Sequence, residues 1–267
     1  MKRLLLFGTA LLFPLFFFSP SVFAYDYGDK SRSSLLSLDL LAEVQERRVL
    51  DKGESLNPCC EFKGDAVSTR LLAKVGLRPV PPLEVYGLIG GADLSIDDFD
   101  GFDAKMNPAY GGGIHLVLFE SPSPGESHLF LDYAYLQFTP KDRHEVSKCV
   151  SSPCDAPGNS VATVQDEKIQ WREHVVKIGG DFRHDVFRPY GGLRVSFVRG
   201  RDSFSFVSAT APIANPNIEA VDLVEDNTLG VFGGVDIFLD PTDALALNLE
   251  VSLFDVNSIR GGLRFAF

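Results

Sequence analysis

The sequence predicts an all-β fold, a single antiparallel transmembrane β-barrel of about ten strands. Three observations predict it. Apolar residues recur at every second position from Ser34 onward, short and long joints alternate between these segments, and the last segment ends on Phe267. A period of two is typical of strands that have one apolar and one polar face.

Residues 1–24, which precede this pattern, are typical of a signal peptide. A basic start is followed by an apolar run rich in Leu and Phe, which closes on a small residue at Ala24. This order predicts export and cleavage after Ala24, with residues 25–267 forming the barrel domain. A transmembrane helix is the less favoured interpretation, because Pro14 and Pro20 interrupt the run.

Ten segments follow the alternating pattern, and an even number of strands returns the C-terminus to the side from which the barrel starts. The tail of the first segment, 42–48, could instead form a helix, in which case the barrel would have eight strands. The predicted segments are 34–48, 66–78, 82–93, 108–119, 127–139, 166–182, 188–206, 226–239, 243–254 and 258–267.

One segment, 166–182, shows a change of parity. Ile169 and Trp171 occupy odd positions, whereas Val176 occupies an even one. If all of these residues belong to one apolar face, the strand needs an extra residue, and we therefore predict a β-bulge near 173–175.

The alternation is shared by soluble sandwiches and lipocalin-like barrels, whose apolar faces point inward. Three features favour a membrane barrel instead: aromatic residues near the strand ends, glycine-rich strand positions and a terminal aromatic residue. The aromatic residues are Tyr86, Tyr110, Tyr133, Tyr135, Trp171 and Phe197. Short joints that alternate with long ones are also expected of an outer-membrane barrel, with its short periplasmic turns and long outer loops.

The last strand carries a resemblance to a known group. The stretch Ile259-Arg-Gly-Gly-Leu-Arg-Phe-Ala-Phe267, with the internal echo Tyr190-Gly-Gly-Leu-Arg-Val195, resembles strands of the small outer-membrane β-barrel superfamily, the OmpA-like and opacity-like proteins. The resemblance implies a bacterial outer-membrane location, insertion by the barrel assembly machinery, and Phe265 and Phe267 as the assembly signal. It does not specify a function, because the superfamily holds adhesins, lipid enzymes and small pores.

If the apolar faces meet lipid, the polar faces point into the lumen. Enclosed charges are costly unless they are paired, so we expect a network of opposite charges that fills the interior. A narrow passive pore for ions or small solutes is the alternative. The candidate lumen residues are Arg70, Lys74, Glu84, Asp132, Arg194, Asp236, Glu250, Arg260 and Arg264, together with Glu43 and His115.

The cysteines are expected to form disulfides, because all four lie in the exported part of the chain. The short spacing of Cys149 and Cys154 predicts a bridge that closes a small loop. Cys59 and Cys60 are adjacent and would strain a mutual bridge, so a bridge from either of them to the other loop is left open.

A cluster of carboxylates in one predicted outer loop is a candidate calcium site, although its spacing does not follow the EF-hand pattern. Its members are Asp93, Asp97, Asp98, Asp100 and Asp103. An outer acidic loop is also a feature of the omptin proteases, which need an acid and histidine pair there, and only His144 and His174 lie near the outer rim.

The sequence therefore predicts no enzyme, no catalytic residue and no cofactor, with an omptin-like protease as the third-ranked class. The excess of 36 acidic over 25 basic residues excludes nucleic acid as a partner. We expect a structural or surface-binding, adhesin-like role through the outer loops. The expected partners are outer-membrane lipid and an extracellular ligand or surface.

Overall fold

The computed structural model describes residues 35–51, 63–97, 102–121, 127–149, 160–208 and 219–267. The predicted signal peptide, 1–24, lies outside them. None of the described residues belongs to a helix long and apolar enough to cross a membrane.

Twelve β-strands form a single sheet in the described residues. They are β1 (Leu36–Asp51), β2 (Lys63–Val80), β3 (Leu83–Ile96), β4 (Phe102–Glu120), β5 (Ser127–Phe138), β6 (Lys141–Cys149), β7 (Ser160–Phe182), β8 (Phe187–Ser208), β9 (Glu219–Glu225), β10 (Leu229–Phe238), β11 (Leu245–Leu253) and β12 (Asn257–Ala266).

Ten of these strands close into an antiparallel barrel, in the order β1, β2, β3, β4, β5, β7, β8, β10, β11 and β12. The closing ladder joins β12 to β1 from Ser37↔Ala266 to Glu46↔Asn257. Closure gives each of the ten barrel strands a partner on both sides, as a chain that crosses lipid requires. The ten-stranded barrel is confirmed, and the helical interpretation of 42–48 is wrong because β1 is paired on both of its sides.

The ten predicted segments match the ten barrel strands, with shifted ends. Two strands were missed, because β6 and β9 fall within stretches predicted as loops. Both pair with the far ends of barrel strands: β6 with β7, and β9 between β8 and β1.

Short connections lie on one rim of the barrel, together with the start of β1 and the end of β12. These connections are 81–82, 121–126, 183–186 and 239–244. In outer-membrane barrels such turns face the periplasm, and we name the two rims the periplasmic rim and the outer rim accordingly. The two longest of the described strands, β7 with 23 residues and β8 with 22, extend furthest toward the outer rim.

The two faces of a strand exchange polarity along its length. In the periplasmic part of β1, Leu40 and Val44 point outward and are exposed, while Asp39 points inward and is buried. Toward the outer rim of the same strand, Arg48 is exposed and Val49 is fully buried. The outward face is therefore apolar at membrane level and polar beyond it, as contact first with lipid and then with water requires.

The same exchange explains the parity change in β7, and the predicted bulge is wrong. The pairing of β7 with β5 and β8 runs without a register shift through Glu173. Ile169 and Trp171 are apolar because they fill the lumen near the outer rim, whereas Val176 is apolar because it lies on the outward face lower in the same strand.

The aromatic residues near the strand ends, which favour a membrane barrel in the sequence, differ in position. Tyr110 and Phe197 are exposed on the outward face, at 55% and 52%. Trp171 and Tyr86 lie inside the barrel, at 1% and 7% exposure, so these two residues do not contact lipid. An aromatic ring contributes as much to a packed lumen as to a lipid interface, and residue type alone does not separate the two.

Trp171 is the only tryptophan of the chain and reports on this placement directly. Because its ring is enclosed in the lumen, we expect little quenching of its fluorescence by brominated phospholipids in refolded samples. The matched control is the double variant W171F/F197W, which moves the tryptophan to the lipid-facing position and should be quenched strongly. Equal quenching of parent and control would contradict the interior position.

The second prediction concerns closure by β12. A chain that ends before Ile259 leaves β1 and β11 with unpaired edges, each unsatisfied backbone group costing several kcal/mol in lipid. We expect no heat-modifiable folded species of this truncation on gels. The full-length variant F267A keeps the ladder and is the control that isolates the terminal aromatic ring. A folded truncated barrel would contradict the closure.

Candidate functional site

The lumen holds a cavity of about 310 Å³ on the periplasmic side of the barrel. It extends from the turn at Pro81 and Pro82 to the side chains of Glu173 and Arg194. The structure places every predicted lumen residue in its wall. These residues are Glu43, Arg70, Lys74, Glu84, His115, Asp132, Arg194, Asp236, Glu250, Arg260 and Arg264.

The cavity ends at a carboxylate, Glu173 of β7, that binds three arginines. Arg47 donates a hydrogen bond of 2.6 Å to Oε1, and Arg70 donates one of 2.6 Å to Oε2. Arg194 reaches Oε1 at 3.3 Å. All four side chains are almost fully buried, so the attraction between the charges is screened little by solvent.

Two further carboxylates balance the charge. Glu225 of β9 accepts a hydrogen bond of 3.1 Å from Arg47, and Asp255 lies 2.9 Å from Nε of Arg194. The hydroxyl of Ser196 lies within 2.9 Å of both acids. Three arginines thus face three carboxylates, which is the condition under which a buried ionic cluster is tolerated. We name these six charged residues the Glu173 cluster.

Asp255 reaches the cluster because the turn between β11 and β12 folds into the lumen. Phe254 has a φ of 83°, which is unfavourable for a side chain of this size. Asp255 and Val256 are 3% and 1% exposed. A Cβ at Gly230 would collide with the Asp255 carboxylate and lie 2.6 Å from the Leu253 carbonyl oxygen, so this close approach requires glycine.

An apolar core fills the lumen on the outer side of the Glu173 cluster. It contains Val49, Ala66, Ala92, Leu94, Ile96, Phe102, Ala104, Ala109, Leu136, Phe138, Ile169, Trp171, Val198 and Leu223. Arg70 connects the two layers, since its guanidinium lies 5.6 Å from the ring centre of Phe138. The cluster and the core together form what we name the outer seal.

A second set of ion pairs lines the cavity below the seal. Glu250 lies 2.5 Å from Lys177 and 2.5 Å from Arg260. Nearer the periplasmic rim, Asp39 lies 3.0 Å from Arg264, while Lys74 lies 2.7 Å from Glu84. These pairs cross between strands and leave a space beside them, so the cavity wall is charged with both signs.

Four members of the Glu173 cluster were not predicted from the sequence. Arg47 shares the parity of Glu43 and could have been found by extending the inward face of β1 by two steps. Glu173 was hidden by the incorrect bulge. Glu225 and Asp255 lie in a missed strand and in a turn, where alternation predicts nothing.

The candidate metal and disulfide residues are largely outside the described residues, which exclude Asp98, Asp100, Cys59, Cys60, Cys154 and the side chain of Cys149. Asp93 accepts a hydrogen bond from the Thr69 amide. No three histidine, cysteine or acidic residues among those described lie close enough to hold a metal ion. The disulfides and the calcium site stay predictions.

Of the two histidines near the outer rim, only His174 has a described side chain, so the omptin-like protease stays an untested prediction. His174 lies on the outward face, 2.9 Å from the Tyr133 hydroxyl and beside the Tyr135 ring, while the side chain of His144 lies outside the described residues. The His–Asp pairs of the described lumen are His115–Asp132 and His128–Asp181, at 3.4 and 2.7 Å, and both line the periplasmic cavity.

The architecture is that of an outer-membrane β-barrel protein. No protein-family model and no curated protein matches the chain. The resemblance of 259–267 to the OmpA-like and opacity-like proteins therefore stays a prediction.

Solved structures with a similar arrangement include the beta domain of the Bordetella autotransporter Brka, which is 14% identical with a TM-score of 0.47, over 86% of this chain and 99% of that one. The translocator domain of the autotransporter NalP from Neisseria meningitidis is 9% identical, with a TM-score of 0.41 over 88% and 89%. The toluene transporter TbuX from Ralstonia pickettii is 10% identical, with a TM-score of 0.32 over 86% and 87%. Similarity at this level does not transfer a function.

The Glu173 cluster leads to a prediction about stability. The variant E173Q removes the negative charge that three buried arginines share. We expect the free energy of unfolding to fall by about 3–5 kcal/mol. The matched control is E46Q, because Glu46 is an exposed acid of β1 and its substitution should change stability by about 0.5 kcal/mol or less.

Urea titration of both variants in lipid vesicles measures this difference. Equal unfolding midpoints for E173Q and E46Q would contradict the central role of the Glu173 carboxylate.

Proposed function

We propose that this protein is a non-conducting barrel of the bacterial outer membrane, exported by its signal peptide and inserted by the barrel assembly machinery, which acts at the cell surface through its outer strands and loops. The observation that carries the proposal is the outer seal. A passive pore needs a continuous water path, and side chains can fill the interior of a barrel of this size.

The length of the outer strands supports a role at the surface. About 9–11 residues of a tilted strand span the membrane, whereas β7 has 23 residues and β8 has 22. At a tilt of about 40°, a strand of this length rises about 55 Å, roughly twice the height of the apolar band. The outer half of the barrel wall therefore extends beyond the lipid.

The extension is suited to binding because it has its own apolar core. Trp171, Phe138 and Leu94 are at most 1% exposed and pack inside it. Loops that join the strands of a rigid, packed wall lose less conformational entropy on binding than loops on a flexible support. An extracellular ligand or surface is the partner that such a platform fits, and the proposal includes no enzymatic activity.

A narrow pore is the second candidate, and the periplasmic cavity of about 310 Å³ favours it. For this function the outer seal would have to open. The cavity alone gives access from one side of the membrane only.

Single-channel recording of the refolded protein separates the two candidates. We expect no steady conductance from the parent, because the Glu173 cluster and the apolar core block the lumen. The control is E250A, which removes a cavity carboxylate below the seal; it should also fail to conduct while losing several kcal/mol of stability, since Lys177 and Arg260 lose their partner.

Steady ohmic conductance of the parent, together with an unchanged unfolding midpoint for E250A, would replace the non-conducting function with the pore. Solvated ion pairs contribute only about 1 kcal/mol or less, so an open lumen should leave stability nearly unchanged.

A further inference from the structure

The outward face of β6, β7 and β8 carries six exposed basic side chains just beyond the apolar band. We name them the basic patch, and they are Lys141, Arg143, Lys168, Arg172, Arg199 and Arg201. Since the chain has a net charge of −11, this concentration of positive charge on neighbouring strands runs against the overall composition.

The patch contains two pairs of like charges in direct register. Lys141 lies opposite Lys168, and Arg172 lies opposite Arg199. Side chains in such positions have Cβ atoms about 5 Å apart, and like charges there are destabilising. A bound anion would remove this repulsion.

Among the described residues, two acids face the basic side chains of the patch. Asp166 lies 3.4 Å from Arg143, and Asp222 is the register partner of Arg201. In the part of the chain that the structure describes, the four side chains of the two like-charge pairs have no acidic partner. Among the described side chains, the four positive charges of these two pairs are therefore not compensated by an acid.

The height of the patch points to a source for the anion. On the outward face, Tyr135, His174 and Phe197 are in register across β5, β7 and β8 and form an aromatic row. Such rows mark the interface between the apolar band and the polar headgroups. Arg172 and Arg199 come two residues further along their strands, about 7 Å beyond the row.

We propose that the basic patch binds the phosphate groups of the anionic glycolipid in the outer leaflet, lipopolysaccharide. Guanidinium groups bind phosphate oxygens in a bidentate manner, which suits the Arg172–Arg199 pair. The site depends on the outward orientation of the long strands in the proposed function. It adds a defined lipid partner to a surface whose net charge would otherwise repel an anionic leaflet.

Binding of purified lipopolysaccharide to the refolded full-length barrel in neutral detergent tests the site. Removing two charges next to an anionic surface, in R172Q/R199Q, should weaken binding about 10- to 30-fold. The variant R172K/R199K keeps the charge but loses the bidentate geometry, so its affinity should lie between those of the parent and R172Q/R199Q. The matched control R48Q/K105Q removes two exposed basic residues of β1 and β4 and should bind like the parent.

Two further measurements identify the bound anion and check that the variant is folded. Dephosphorylated lipopolysaccharide should bind the parent about tenfold or more weakly, and inorganic phosphate at equal concentration should not compete. Without lipid, the unfolding midpoint of R172Q/R199Q should be equal to or above that of the parent, because the repulsion is gone.

Equal affinities of R172Q/R199Q and R48Q/K105Q would overturn the site, as would binding of inorganic phosphate without binding of lipopolysaccharide. The binding assay does not measure conductance. A negative result would therefore remove the lipid site and leave the proposed non-conducting function to be tested by single-channel recording.

Discussion

A carboxylate shared by three arginines holds the middle of this barrel together. Glu173 of β7 binds Arg47 of β1, Arg70 of β2 and Arg194 of β8, and so joins strands from separate parts of the wall. Charges removed from water cost several kcal/mol each unless partners replace the lost hydration. The arrangement is stable only as a whole, because the loss of any one acid leaves an excess of buried positive charge.

The Glu173 cluster also lies where the strands change their surroundings. On its periplasmic side the outward residues, such as Leu40 and Ile178, contact lipid, and the lumen is charged. On its outer side the outward residues are polar, and the lumen is apolar around Trp171. The same alternation along a strand thus places charged side chains in the lumen at membrane level and apolar side chains in the lumen beyond the membrane.

This exchange explains how far the sequence could predict the structure. Alternation alone predicted ten strands, their closure and the inward position of residues such as Arg264 and Glu250, because a period of two is local information. It could not show whether an apolar face meets lipid or the lumen, and so the parity change at Trp171 was interpreted as a bulge. Asp255 enters the cluster through a turn, and Glu225 through β9, by long-range packing that no local pattern encodes.

The division of the lumen also bears on where the function resides. The charged cavity lies toward the periplasmic rim, and its outer end is closed by side chains that pair with one another. A group that already has a hydrogen-bond or ionic partner binds a solute poorly. Two outward residues beyond the membrane differ: Arg172 and Arg199 oppose each other in register without an acidic partner among the described residues. Among the described residues, the like-charged pairs of the basic patch are therefore the place where this barrel has charge left to bind a partner.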